Sequence, residues 1–402
     1  MNSQSAKIEK RGLLIISVAW FAGMLVNLAV FSLGMMLPDI RNDLNFGIAE
    51  AGTLSASSWV VKAIVTIPIA LLVSKINPKR ILLALYLIVG VGMVMQGAAQ
   101  NYLVLLLGRA LVAGASAGAF VPLVPVKINW IPQEKMSQMN GVESFIGPVG
   151  QSIGTIAVTY MLALFNGWRN VMFALGVVSI LLAVVWMIIY KEREGAEFKK
   201  SDAPVLAPLK EALSHKTVLM LTLSWPTVCI PWIAFFTFWP TYAVERFGFT
   251  MDQCGVILGV YPIASAIAAL VSPFIAKRFK KDKSMIWPWG FVLPVSFLGM
   301  LFLNNPILLT LVSCIAGFAS YAFVPMAFTT MYRIPGISSR AVTMAVSCAL
   351  TTVGLGGALG GMLAGSLGES LGLFPALLIC AVTPVVFGIT TLFLPDYGKN
   401  TK

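Results

Sequence analysis

Three ionisable side chains, Lys62, Arg109 and Glu143, fall inside the long apolar runs of this sequence. An ionised side chain at the centre of a membrane helix costs about 2.5–3.5 kcal/mol on insertion scales, so such residues persist when paired or when they face a wet cavity. Lys62 sits about eleven residues from either end of its run, and Ser55, Ser58, Lys62 and Thr66 follow one another at intervals of three or four. That spacing puts them on one helix face. A polar stripe with a cation at its centre suits a helix lining an aqueous path, and its ammonium could bind an anion. A buried ion pair with Glu143 is the other reading of the same residue. Arg109 lies about six residues into its run, and its planar fork of donors fits a carboxylate or similar oxyanion. Glu143 is followed at intervals of four by Gly147, Gln151 and Thr155, a narrow face of small and polar residues. Apolar surroundings favour the neutral form of a carboxyl and a nearby ammonium favours the charged form. Such a group could load and release protons; a static salt bridge is the alternative.

Two cations against one anion leave spare positive charge, and in a low-dielectric wall that draws an anionic solute. Asn27, Gln151, Trp232, Tyr261 and Tyr321 fall at mid-run depth and are further candidates for substrate contact, although each type is more often packing. Trp20, Trp168, Trp239 and Trp287 lie near run ends, where indoles collect at membrane interfaces.

The elements that must position these groups follow from composition. Of 402 residues, 58% are hydrophobic and 11% charged, against about 25% charged in soluble domains. Apolar runs of 18 to 25 residues alternate with short polar breaks, the length needed to cross about 30 Å of hydrocarbon. Lipid cannot satisfy an exposed backbone, so the spans must be helices; the alternating ten-residue segments of a β-barrel are absent. Spans are expected near 12–37, 51–73, 80–99, 103–126, 138–163 and 170–190, then near 217–241, 253–275, 286–303, 307–328, 341–365 and 374–394. The first run is too long for a signal-peptide core and is expected to stay as the first helix. Threaded from a cytoplasmic N-terminus, 23 of the 28 basic residues fall on the cytoplasmic side and three outside, namely Arg41, Arg169 and Arg246. This is the positive-inside pattern, with both termini cytoplasmic. The formal charge of +12 is therefore a topology signal and does not point to nucleic acid.

The expected organisation is an all-α membrane protein of two similar halves, residues 1–190 and 217–402, around a polar cytoplasmic loop, 191–216, that holds the single histidine, His215. Pro38, Leu44, Phe46 and Ala51-Gly52 recur as Pro240, Phe247, Phe249 and Cys254-Gly255 at an offset of 202 to 203. The basic loop Ser74, Lys75, Lys79 and Arg80 recurs as Lys277, Arg278, Lys280 and Lys281. At that offset Lys62 maps to Ser265, Arg109 to Val312 and Glu143 to Val346, so buried charge is confined to the first half. Two such halves are the arrangement of a rocking transporter with its site near the midplane.

Here the chain resembles the major facilitator superfamily. The segment "ALLVSKINPKR", Ala70 to Arg80, is similar to that family's loop between helices two and three, with Ser74 where the family has an aspartate. The resemblance implies a cytoplasmic gating role for Ser74, Lys75, Lys79 and Arg80. Arg109 with Gly114 and Gly118 resembles the family's helix-four motif, whose arginine also serves packing or the proton step in some members. Gly147-Pro148 with Gly150 and Gly154 resembles the Gly-Pro element of helix five, and "FTFWPTYAVERFGFT" resembles the end of helix seven in organic-anion carriers. The resemblance implies a secondary transporter of a small anionic substrate working by alternating access, with protons as a candidate coupling ion and no cofactor. A single twelve-helix domain of this kind can act as a monomer.

Other classes fit less well. One loop histidine, one intramembrane carboxylate and five scattered cysteines without metal-ligand spacing offer no catalytic constellation. The loops leave no room for the soluble domain of a receptor, and no P-loop is present for an ATP-driven pump. Within transport, proton-driven efflux of a drug or metabolite is the alternative to anion carriage.

Overall fold

The structure, a computed structural model, describes residues 10–73, 76–118, 122–191, 206–276 and 282–395. It is helical throughout, with no strand among the described residues. In the first half the chain forms α1 (Lys10–Phe31), α2 (Leu33–Leu44), α3 (Ile48–Val73), α4 (Pro78–Gly97), α5 (Tyr102–Gly118), α6 (Leu123–Trp130), α7 (Gln133–Phe165) and α8 (Trp168–Ile189). A short helix, α9 (Leu206–Ser214), precedes α10 (Lys216–Phe247), α11 (Met251–Ala276), α12 (Trp289–Phe302), α13 (Pro306–Ala322), α14 (Val324–Tyr332), α15 (Ser339–Leu371), α16 (Leu373–Val382) and α17 (Pro384–Leu392). Ten stretches are long and apolar enough to cross a membrane, and α5 is a shorter apolar helix. With α3, of 26 residues, they make the twelve spans expected. The stretch 191–216, expected as a loop, contains α9.

Three of the spans are broken at described residues, and proline accounts for two of the breaks. Pro325 and Pro384 each sit at the start of the second piece, where a missing N–H is harmless and the ring excludes continuation of the preceding turn. The third break lies at Ser32, whose Oγ donates to the Ala29 carbonyl at 3.0 Å. The sequence extends the repeat further: Ala119-Phe120-Val121-Pro122 recurs as Ala322-Phe323-Val324-Pro325. Asn101 Oδ1 accepts from the Val104 N–H, and Asn305 Oδ1 accepts from Ile307 and Leu308. Packing repeats likewise: α1 lies on α7 as α10 lies on α15, and α4 lies on α5 and α8 as α12 lies on α13 and α17.

Two groups of contacts emerge. One unit holds Met1–Asp39 with Val61–Asp202, the other Ile40–Val60 with Ala203–Lys402. The first has a buried cluster in which Ile15, Ile16, Leu82, Tyr86, Trp130 and Trp186 meet. Close approach of α1 and α7 depends on Gly150, where a Cβ would come within 2.6 Å of the Met24 carbonyl oxygen. In the second unit Gly356 plays the same part between α15 and α10, with the Pro226 oxygen at 2.5 Å. Aromatic rings fill the rest of that core, with centroids of Phe235 and Phe297 4.7 Å apart and of Phe323 and Phe387 4.6 Å apart.

Prolines inside α10 free carbonyls that other side chains then take up. The Thr227 carbonyl would accept from the N–H of residue 231, which is Pro231. It accepts instead from Thr383 Oγ1 at 2.7 Å. Two tryptophans expected at the interface are turned inward. Trp239 is fully buried, and its Nε1 donates to the Met300 carbonyl at 2.8 Å, in the last turn of α12. Trp168 is buried at the start of α8 with the Arg169 guanidinium 4.5 Å from its ring centroid. Trp168 opens α8, whereas Trp239 lies eight residues before the end of α10, and a nearby cation or orphan carbonyl holds each in the protein.

Candidate functional site

The cations of the first unit are brought together. Lys62 lies in the second part of α3, half-buried, and repels the Arg109 guanidinium of α5 electrostatically. Arg109 is 4% exposed and reaches back to the end of α1. Its Nη2 donates to the Val30 carbonyl at 2.6 Å and its Nη1 to the Ala29 carbonyl at 3.4 Å. Those carbonyls belong to the final turn of α1, which the break at Ser32 leaves without helical partners. A cation also suits the negative end of the helix dipole. The guanidinium therefore fastens the α1 terminus.

The neutral candidates divide. Asn27 Nδ2 donates to the Gly23 carbonyl of its own helix at 2.9 Å. Gln151 on α7 is 7% exposed, and its Nε2 has no hydrogen-bond partner among the described residues. An amide donor buried in this way costs about 1–3 kcal/mol until it finds an acceptor. Trp232 packs edge-on against Trp59, centroids 5.6 Å apart. Tyr261 is buried against Phe236 at 5.3 Å and lies beside Tyr321 and Cys229. Tyr321 is 36% exposed, so it stands at the edge of that cluster.

The carboxylate and half of the loop expected to gate the cytoplasmic side lie outside the described residues. Glu143 belongs to α7, but its side chain lies outside the described part of the structure, as do residues Ser74 and Lys75. Lys79 and Arg80 open α4, where Asn77 Oδ1 accepts from the Lys79 N–H at 2.8 Å. The Lys79 ammonium is 5.8 Å from the Tyr190 ring centroid, and its carbonyl accepts from Trp186 Nε1. Arg80 is exposed.

One charged group escaped the sequence reading, and two hydroxyls named there, Ser55 and Ser265, gain partners. Lys127 on α6, counted there with the cytoplasmic charges, is 6% exposed; its apolar neighbours Val126, Ile128 and Trp130 were the signal. Ser55 and Thr237 share a buried hydrogen bond of 2.9 Å. Ser265, the repeat counterpart of Lys62, donates to the Tyr261 and Gly317 carbonyls and meets Ser320 Oγ at 3.3 Å. Where the first half carries a cation, the second carries a hydroxyl that ties α11 to α13.

A repeated twelve-helix bundle with buried charge in one half and hydroxyls in the other defines a class, the polytopic solute carriers. The Major Facilitator Superfamily model matches residues 19–344, and the chain belongs to that family. It is a secondary transporter and not an enzyme. Among its relatives, the probable sulfoacetate transporter SauU of Cupriavidus necator is 21% identical over 69% of this chain and 68% of that protein. The probable nitrate transporter NarT of Staphylococcus epidermidis is 20% identical over 70% of each chain. The hexuronate transporter of Bacillus subtilis is 23% identical over 67% of this chain and 66% of its own. The fold matches a bacterial homologue of the human lysosomal transporter Spinster, with a TM-score of 0.78 at 18% identity over 96% of this chain and 95% of that one. It also matches the nucleoside transporter NupG, with a TM-score of 0.80 at 14% identity over 95% and 99%.

Proposed function

We propose that this carrier moves a small organic anion, a carboxylate in the first instance, with Lys62 as the ammonium that binds it. One observation carries the reading: two like charges, Lys62 and Arg109, are held within electrostatic reach of each other in the interior of a membrane bundle. An anion beside Lys62 offsets both the repulsion and the cost of burying charge. Arg109 donates to α1 carbonyls, so in this reading Lys62 takes the contact. The names of three relatives support the class, since sulfoacetate, nitrate and hexuronate are all anions. Gln151 offers a neutral donor, and Asn27, Trp232, Tyr261 and Tyr321 supply the remaining walls. Ser74, Lys75, Lys79 and Arg80 gate the cytoplasmic side in this reading, with both termini cytoplasmic and protons loaded at Glu143.

A thermal-shift screen of purified protein against carboxylates, inorganic anions, sugars and lipophilic cations tests this, because a ligand of the folded state raises its stability by mass action. A carboxylate that stabilises the wild type and not Lys62→Gln is the expected result. Stabilisation by lipophilic cations alone, unchanged in Lys62→Gln, returns the protein to the efflux class. For the proton step, Glu143→Gln is expected to abolish accumulation driven by a pH gradient in proteoliposomes while leaving counterflow exchange; intact accumulation removes the carboxyl from the mechanism.

A further inference from the structure

A second cavity lies in the first unit. The end of α3, the whole of α4 and the inner part of α5 enclose a groove of about 880 Å³, running from Arg80 to Met95. At 1.5 Å per residue those positions are about 22 Å apart along α4, longer than the roughly 15 Å of one bilayer leaflet. Its floor is made of small residues such as Ala110, Gly114 and Ala115, while the exposed Ile88, Leu107 and Leu111 stand at its mouth. Among the described residues that line it Arg80 alone is charged, and it sits at one end. That end is the first turn of α4, which carries Lys79 and Arg80 and no acidic residue. Two cations on the positive end of a helix dipole are electrostatically unfavourable unless an anion joins them. Among the described residues no carboxylate pairs with Arg80.

We infer that the α3–α4–α5 groove binds one acyl chain of an anionic phospholipid whose phosphate is held by Arg80. The chemistry matches at both ends. An acyl chain fills an apolar slot that close-packed helices leave open, and a phosphate takes the planar donors of a guanidinium. In the orientation proposed above, Arg80 faces the cytoplasmic leaflet, where anionic lipids attract basic residues. The site is separate from the Lys62 path: neither Lys62 nor Arg109 is among the residues that line it.

Two variants at exposed positions test head and tail separately, Arg80→Gln for the phosphate and Ala84→Trp to fill the groove. Protein taken from nanodiscs of mixed phosphatidylglycerol and phosphatidylcholine is weighed by native mass spectrometry. The expected result is one retained phosphatidylglycerol on the wild type in preference to phosphatidylcholine. Arg80→Gln should lower that retention by about fivefold, the factor of one basic residue at an anionic surface, and Ala84→Trp should lose it altogether. Retention unchanged in Arg80→Gln, or no preference in the wild type, overturns the headgroup assignment. Loss in Arg80→Gln with retention in Ala84→Trp overturns the groove and leaves an anion bound at Arg80 without a chain.

Discussion

Replacing Arg109 with alanine separates its two readings, anchor of α1 and ligand of the substrate. The variant removes a strong charge-assisted bond to Val30 at 2.6 Å and a weak one to Ala29 at 3.4 Å. Ala29 keeps Ser32 Oγ as a donor, so the loss falls on Val30. A hydrogen bond to a charged group contributes about 1.5–3 kcal/mol, and removing the guanidinium also relieves its repulsion of Lys62. A net destabilisation of about 2 kcal/mol follows, equivalent to a fall of about 4–8 °C in melting temperature for a unit of this size. Arg109→Lys should recover part of it, because a point ammonium reaches one carbonyl where the fork reaches two. The assay is the intrinsic tryptophan melt in detergent, with and without the stabilising carboxylate. If Arg109 anchors α1, the apo melt falls while the increment given by ligand survives. An unchanged apo melt with the increment abolished would refute the anchoring argument and make Arg109 a substrate ligand.

Two further outcomes follow from the geometry. Glu211 on α9 accepts from the Ser338 N–H at 2.7 Å and from Ser338 Oγ at 2.8 Å, and these bonds, with His215 nearby, hold its carboxyl below its ordinary 4.5. A depressed carboxyl stabilises fully above its unfolded value and loses that contribution as pH falls through its folded value. The protection factor of the α9 amides, taken relative to the intrinsic exchange rate at each pH, should therefore be high at neutral pH and fall under acid, and Glu211→Gln should be poorly protected at both; a pH-independent protection factor in the wild type would contradict this. Gly150→Val places side-chain atoms where α7 meets the Met24 backbone. Helices whose backbones touch cannot absorb that bulk, so a folded, monodisperse variant on size-exclusion chromatography would disprove the contact.

Much of the architecture was written in hydropathy, because lipid admits so few alternatives to a helix. The twelve spans, the repeat and the family motifs were readable, and the Phe-Val-Pro copies at 120–122 and 323–325 were there to be read as well. What hydropathy could not show was where carbonyls are orphaned. The partner of Arg109 depends on a break at Ser32, six residues before the nearest proline, with no local signal of its own. Trp239 reads as an interface residue until the end of α12 appears beside it. Lys127 sits one residue past an apolar run, where sequence alone counts it as solvated. The short helix α9 hides in a polar stretch because nine residues give too little periodicity to stand out. In each case the deciding information is which element lies alongside.

The bond between Thr383 and the Thr227 carbonyl ties together two residues 156 positions apart, and its need arises from a third, Pro231. Restoring an N–H at 231 would close the ordinary helical bond and make the threonine redundant. Losing the threonine first would strand a buried carbonyl. The two substitutions are therefore not interchangeable in order: a lineage could shed Thr383 only after shedding Pro231. Mutational paths through this pair run one way, an epistasis set by a single lone pair inside α10.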